Sequence, residues 1–157
     1  EKAYQKARKL LKTSYVILST IPGVPCIYYG DEAGMQGYGD PLCRGFFPWG
    51  NEDAELVDFF GMVSKARKKE KILKTGALSV RFADNDVACY ERLGGREALV
   101  VVVNRSDKTY EFISDGATEI ITEKRGKKAE IAPLSAAVFK IKKNGSYTVA
   151  ERIAHER

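Results

Sequence analysis

The sequence predicts an α+β chain in which an incomplete α/β piece, ending near Gly76, precedes an antiparallel β-sandwich. Apolar residues recur at helical spacing over residues 2–20 and again over 51–69, with a short apolar run at 25–29 between them. After Ala77 the hydrophobic period changes to two. The length of 157 residues agrees, since it can fill one sizeable core or two small ones, whereas a closed (β/α)8 barrel needs about 200 residues or more.

In the first helix Ala3, Ala7, Leu10, Leu11, Ser14, Ile17 and Leu18 form one face, Lys and Arg fill the other, and Pro22-Gly23 stops it. Pro25-Cys26-Ile27-Tyr28-Tyr29 is apolar without alternation, the pattern of a strand covered on both faces. Helix, tight turn and strand together read as an αβ unit of a parallel sheet or barrel. From Gly30 to Gly50 there are six glycines, with Pro41 and Pro48, too many breakers for a regular element. A long loop after a parallel strand is where α/β proteins place ligand sites. Asn51 is expected to cap a second helix, with Glu52, Asp53 and Glu55 in its first turn and Leu56, Phe59, Phe60, Val63 and Ala66 as its apolar stripe.

Beyond Gly76 the expected strands are 78–82, 87–92, 96–103, 109–113, 118–122, 129–131 and 136–141, with turns at Leu93-Gly94-Gly95, Asp115-Gly116, Arg125-Gly126 and Asn144-Gly145. The expected division is 1–76, an α/β piece, 77–145, the sandwich, and 146–157, a polar C-terminal extension.

The net charge is +5, from 26 basic and 21 acidic residues. Lys65–Lys74 alone carries it, with six basic residues and one acid, so the remainder of the chain sums to zero. Cations in a last turn complement the helix dipole, and no aromatic residues interleave the run, so a helix end is preferred over a nucleic-acid or acidic-membrane footprint. Neither nucleic acid nor membrane is expected as a partner. Cys26, Cys43 and Cys89 lack metal-ligand spacing, and the single histidine is His155. No metal or other cofactor is expected, and the leaning towards a reduced, cytoplasmic setting is slight. Glu1 in place of an initiator Met, with no leader pattern, points to a piece of a longer chain.

The loop gathers most of the residues able to do chemistry. Paired carboxylates perform glycoside hydrolysis when they flank the scissile bond, but Asp31 and Glu32 are sequence neighbours and would diverge, so a supporting role is favoured. Asp40 and Arg44 have two readings of equal weight: a carboxylate and a forked donor that grip vicinal sugar hydroxyls, or an internal salt bridge that pins the loop. Tyr38 and Trp49 read as loop packing or as platforms for sugar rings. Cys26, inside the expected strand, reads as a small hydrophobe.

The segment GVPCIYYGDEAGMQGYGDPLCRGFFPWG, residues 23–50, strongly resembles the eighth barrel strand and following loop of α-amylase-family glycoside hydrolases, above all the neopullulanase, cyclomaltodextrinase and amylopullulanase branch. Its specific parts are G-x-P-x-I-Y-Y-G-D-E, the following D-P-x-x-R, and P-W-G. The resemblance implies that residues 1–22 are the seventh barrel helix, 51–76 the eighth, and 77–143 the C-terminal sandwich called domain C. It implies that Asp40 and Arg44 bind glucose units on the glycone side of the cleft, and that Tyr29 and Glu32 support the floor; Tyr38 and Trp49, from the residue reading alone, are candidates for further support of the substrate loop. The family's catalytic acids would all precede Glu1. The expected parent is a retaining glycosidase of α-1,4, and in some members α-1,6, glucosidic bonds in starch-type glucans or malto-oligosaccharides, with calcium left open. The fragment itself is expected to be inactive. Without the N-terminal part of the barrel, Leu11, Leu18, Val24, Ile27 and Tyr28 are expected to be exposed and to favour self-association. The alternatives are a stand-alone carbohydrate-binding sandwich, for which Phe82, Tyr90, Tyr110, Phe112 and Phe139 are too scattered, and a basic-helix interaction module.

Overall fold

The computed structural model describes residues 2–152. Helix α1 spans Lys2–Thr20, and a long loop holding one 3-10 turn at Leu42–Arg44 leads to α2, Ala54–Lys69. A single-turn helix α3, Ile72–Thr75, precedes β1, Ala77–Ala83. Then follow β2, Val87–Leu93, β3, Glu97–Asn104, β4, Tyr110–Glu119, β5, Arg125–Ile131, β6, Ser135–Lys142, and β7, Tyr147–Glu151.

The strands form one antiparallel sheet in the order β1-β2-β3-β6-β4-β5, with β7 also on β4. The β6 to β4 junction is short, pairing only Thr118 with Lys140 and Glu119 with Phe139. There the sheet folds over, so that Phe112, Ala117 and Ile131 share a core with Val87, Cys89, Ala98, Val100, Val102, Phe139 and Ile141. On the other face Tyr90, Leu99, Val101, Val103 and Val138 pack against Tyr15 and Val16 of α1 and Leu56, Phe60 and Val63 of α2. Strand β3 is thus covered on both sides, which explains its unbroken apolar run from Ala98 to Val103.

Several sequence expectations change. Residues 25–29 form no strand, because an extended segment needs a neighbour for its backbone groups and none lies beside it. Cys26 is consequently exposed rather than buried. The Asp115-Gly116 turn is a register shift inside one continuous strand, β4, between Ile113 and Ala117. Arg125-Gly126 begins β5 instead of reversing the chain. Much of the expected polar extension is β7, whose Tyr147 pairs with Ser114 and whose Glu151 pairs with Tyr110. His155 lies outside the described residues.

The face that α1 buries also differs from its apolar stripe. Thr13, Tyr15, Val16, Ser19 and Thr20 are buried, whereas Leu10 is exposed and Leu11, Ile17 and Leu18 are half-buried. Threonines let the helix approach the sheet and satisfy their own hydroxyls. Thr13 donates to the carbonyls of Lys9 and Leu134, both at 2.9 Å, and Thr20 Oγ1 lies 2.6 Å from the Tyr90 hydroxyl.

The cap of α2 is Asp53, not Asn51. Its carboxylate accepts from Leu56 N at 3.2 Å, from the Tyr4 hydroxyl at 3.1 Å and from Arg8 Nη2 at 2.9 Å. Arg8 and Lys12 also reach Glu55, so the cap doubles as the tie between the two helices. Partial burial opposes ionisation of Asp53, but the Leu56 amide, Tyr4 and Arg8 together hold its carboxyl below the usual range. A depressed folded-state value stabilises the fold above the unfolded value of about 3.9 and is lost as pH falls through the folded one. Asp53→Ala should lower unfolding free energy by about 1–2 kcal/mol at neutral pH and flatten the acid limb of stability below about pH 4. Chemical denaturation at pH 7 and pH 3 checks both, and equal acid limbs in the two proteins would refute the assignment.

Several groups of the basic run find partners within the fold, while Lys65, Lys68, Lys69, Lys71 and Lys74 all stay exposed. Arg67 donates to Ser19 O at 2.5 Å and Gly23 O at 2.6 Å, Lys69 pairs with Glu123, Lys74 donates to Lys68 O, and the buried Glu70 meets Lys140 at 2.6 Å.

Candidate functional site

The loop starts with a turn that only glycine can make. Gly30 has φ of +93°, and a Cβ there would lie 2.3 Å from Met35 Sδ. Glu32 closes this turn by accepting from Gly30 N at 3.0 Å. Its neighbour Asp31 is raised from the ordinary carboxylate range, first by burial and then by Glu32. Glu32 therefore serves the turn, whereas Asp31 lines the groove between this segment and α1. Tyr29 donates its hydroxyl to Gly45 O at 3.1 Å, joining the start of the loop to its far side.

Asp40 and Arg44 come together. Arg44 Nε lies 2.9 Å from Asp40 Oδ1, and Nη2 donates to Oδ2 at 3.2 Å, a two-point fork across the 3-10 turn. Both side chains stay well exposed, at 68% for Arg44 and 61% for Asp40. Tyr38 and Trp49 are not drawn into this pair. Tyr38 stands exposed, and Trp49 packs on Phe47, with ring centroids 4.5 Å apart, while remaining 81% exposed. The loop so presents a carboxylate, a guanidinium and open aromatic faces to solvent.

Behind the loop lies a largely apolar cavity of about 410 Å³ lined by Leu11, Ile17, Leu18, Ile27 and Phe60, with Asp31 in its wall. A second, of about 440 Å³, opens between Ile27, Tyr29, Glu32 and the Val57–Gly61 face of α2. The stripe on α1 that sequence periodicity picks out lines the first of these. Val24, Ile27 and Tyr28 are exposed as expected, while Leu11 and Leu18 are half-buried.

Tyr90, Phe112 and Phe139 are core residues, exposed by 8%, 1% and 2%, which removes them as a sugar-binding row. Among the described residues no group of three His, Cys, Asp or Glu side chains is placed to hold a metal ion, and no helix is long and apolar enough to cross a membrane. The cysteines separate by environment. Burial pushes the Cys89 thiol up to about 11, and Cys26 is open to solvent. A thiol reagent should modify Cys26 in the folded chain and reach Cys89 only after denaturation. Peptide mapping of the labelled chain checks this, and rapid folded-state labelling of Cys89 would contradict it.

Two helices lie on one face of a folded antiparallel sheet, and the glycine-rich loop between them carries an exposed polar fork; known proteins with this arrangement are glycoside hydrolases of the amylase type. An α-amylase from Geobacillus thermoleovorans shares this fold with a TM-score of 0.74 at 21% identity, over 85% of this chain and 33% of that one. A maltogenic amylase from S. marinus superposes with a TM-score of 0.71 at 28% identity, over 84% of this chain and 19% of its own. In sequence, an amylopullulanase from Thermoanaerobacterium thermosulfurigenes is 41% identical over 134 residues, covering 74% of this chain and 7% of that protein. A cyclomaltodextrinase from Geobacillus thermopakistaniensis is 34% identical over 106 residues, covering 65% of this chain and 18% of that protein. No protein-family model matches. The chain belongs to the α-amylase family of glycoside hydrolases and corresponds to a C-terminal part of its members. It spans less than a fifth of the length of these curated relatives.

Proposed function

We propose that this chain is the end of the catalytic barrel and the closing domain of a retaining glycosidase acting on α-1,4, and in part α-1,6, glucosidic bonds of starch-type glucans. In this reading α1 and α2 are the last two barrel helices, 25–29 is the segment that pairs as the eighth strand only beside the remaining barrel strands, and the sheet is domain C. Asp40 and Arg44 hold a glucose unit on the glycone side of the cleft. The observation that carries the proposal is their exposed fork. An ion pair so open to water stabilises a fold by about 0–1 kcal/mol, so stability gives little reason for it. The pair also leaves room for a ligand. A guanidinium has five N–H groups and a carboxylate about four acceptor sites, so two mutual contacts fix the geometry and leave donors and acceptors for vicinal hydroxyls.

The apolar cavity beneath the loop fits the same reading. Residues 25–29 lack a strand neighbour, and the α1 stripe lacks a cover, which the remaining barrel strands would supply. The nucleophile and the general acid of such an enzyme belong to those other strands. Attack on the anomeric carbon and protonation of the leaving oxygen need both carboxylates, so this chain positions sugar and performs neither step. Turnover by the chain alone is expected to be nil, and the same uncovered surface is expected to make it self-associate.

Calorimetric titration with maltoheptaose tests the role of the pair. Arg44→Ala and Asp40→Ala should each weaken binding about tenfold or more, a loss near 1.4 kcal/mol. Equal affinity in both variants and the unaltered chain would overturn it, and release of reducing sugar by the purified chain would overturn the division of labour.

A further inference from the structure

On the far side of the molecule, β1 lies at the edge of the sheet and carries a bulge. Val80 pairs with Tyr90 and Phe82 with Cys89, so Arg81 is an extra residue between them. A bulge breaks the alternation of side chains, and here Arg81 and Phe82 both line one open cleft of about 630 Å³. The opposite wall is the turn into β7, with Asn144, Ser146 and Tyr147. Glu91 forms the floor and is 7% exposed. The Tyr147 hydroxyl donates to its Oε1 at 2.7 Å, and Arg81 Nε lies 3.6 Å from the same oxygen, so two residues of the cleft wall hold the carboxylate that lines it. Tyr147 is itself fixed by stacking on Phe112, with ring centroids 5.4 Å apart, and Ser146 is tied to Asp115 at 2.7 Å.

We propose that this cleft is a second α-glucan-binding site, distinct from the Asp40–Arg44 loop, which takes one or two glucose units of a malto-oligosaccharide. The choice of glucan rests on the function proposed above, but the chemistry of the cleft points to a neutral polyol independently. Phe82 is 41% exposed and offers a ring face. Arg81 and Asn144 donate, and Glu91 and Asn144 accept. The positive charges of Arg81 and Lys143 are matched by Glu91 and Asp115, so neither an anion nor a cation is favoured. Deep burial of Glu91 makes its held carboxylate a fixed acceptor that needs no rearrangement on binding. In a starch-degrading enzyme such a site anchors the polymer away from the reacting bond.

Titration of the isotope-labelled chain with maltotriose, followed by amide chemical shifts, tests this. Saturable shifts are expected at Arg81, Phe82 and Tyr147. Phe82→Ala and Arg81→Ala, both at an exposed edge strand, should each weaken them about tenfold, and Arg44→Ala should leave them intact. Saturable shifts confined to residues 39–45, or cleft shifts indifferent to both variants, would overturn the second site while leaving the loop proposal standing. Cleft shifts with a silent loop would do the reverse.

Discussion

Replacing Arg92 with methionine should destabilise the chain by about 3 kcal/mol or more, seen as a fall in Tm of about 6 °C or more for a chain of this size. Arg92 has the largest fully buried side chain of the structure, 1% exposed, and the groups it meets are backbone carbonyls. Its Nη1 donates to Thr20 O at 2.6 Å, and Nε and Nη2 donate to Gly76 O at 3.2 and 2.7 Å. Burial lowers the guanidinium's affinity for its proton, with the nearby Arg67 adding to this, yet arginine keeps its charge under any ordinary condition. The buried cation is held by the negative end of α1, whose last carbonyls have no helical partner. Arg67 reaches the same end from α2 through Ser19 O. The two arginines thus join α1, the residue just before β1, and strand β2. Methionine keeps most of the volume and removes all three donors, leaving the Thr20 carbonyl buried and unpaired. Arg92→Lys keeps the charge but cannot fork, so its loss should be smaller. Urea unfolding of the three proteins measures the series, and a loss below about 1 kcal/mol for Arg92→Met would show that the junction does not depend on this residue.

That junction marks the limit of what sequence pattern reveals. Periodicity placed α1, α2 and the change to β structure near Gly76, because each of these elements buries one continuous face. The loop was legible from its glycines and from the D-P-x-x-R spacing, which brings Asp40 and Arg44 into one fork. Periodicity failed where the partner is not local. The Leu11, Ile17 and Leu18 stripe marks an apolar surface truthfully, but the sheet took Thr13, Val16 and Thr20 instead, since a close helix approach favours small side chains with satisfied hydroxyls. Arg92 closes the expected strand 87–92, and the arrival of the α1 terminus makes its position an interior one. The β1 bulge and the pairing of β7 with β4 are register facts, and they alone bring Arg81, Phe82, Glu91 and Tyr147 together. Residues 25–29 show the converse: a strand pattern persists in the sequence, but a strand does not form without neighbours.

Phe112→Ala is expected to have an effect of similar size and to connect the core with the cleft. Phe112 is 1% exposed and stacks on Phe139 with ring centroids 3.9 Å apart and planes within 5°. Phe139 lies on β6, which pairs along its length with β3 and at its end with β4. The two rings therefore hold the folded-over half of the sheet against the other half. Truncation to alanine leaves a cavity that strands on both sides are too constrained to fill, and such changes cost about 3–5 kcal/mol. Loss of the aromatic pair is part of that figure, about 0.5–1.5 kcal/mol. The same ring also stacks on Tyr147, whose hydroxyl anchors Glu91. Phe112→Leu should restore much of the volume and stability but not the stack, so the two roles separate. If the cleft binds glucan as proposed, Phe112→Leu should remain folded, with a Tm within several degrees of the unaltered chain, and bind maltotriose at the cleft more weakly. Thermal unfolding and the amide titration, read on the same protein, decide it. A Phe112→Leu chain that keeps its full affinity would mean that Tyr147 needs no support from the core, and a Phe112→Ala chain that loses less than about 1 kcal/mol would mean that the sheet halves are held by the strand junction alone.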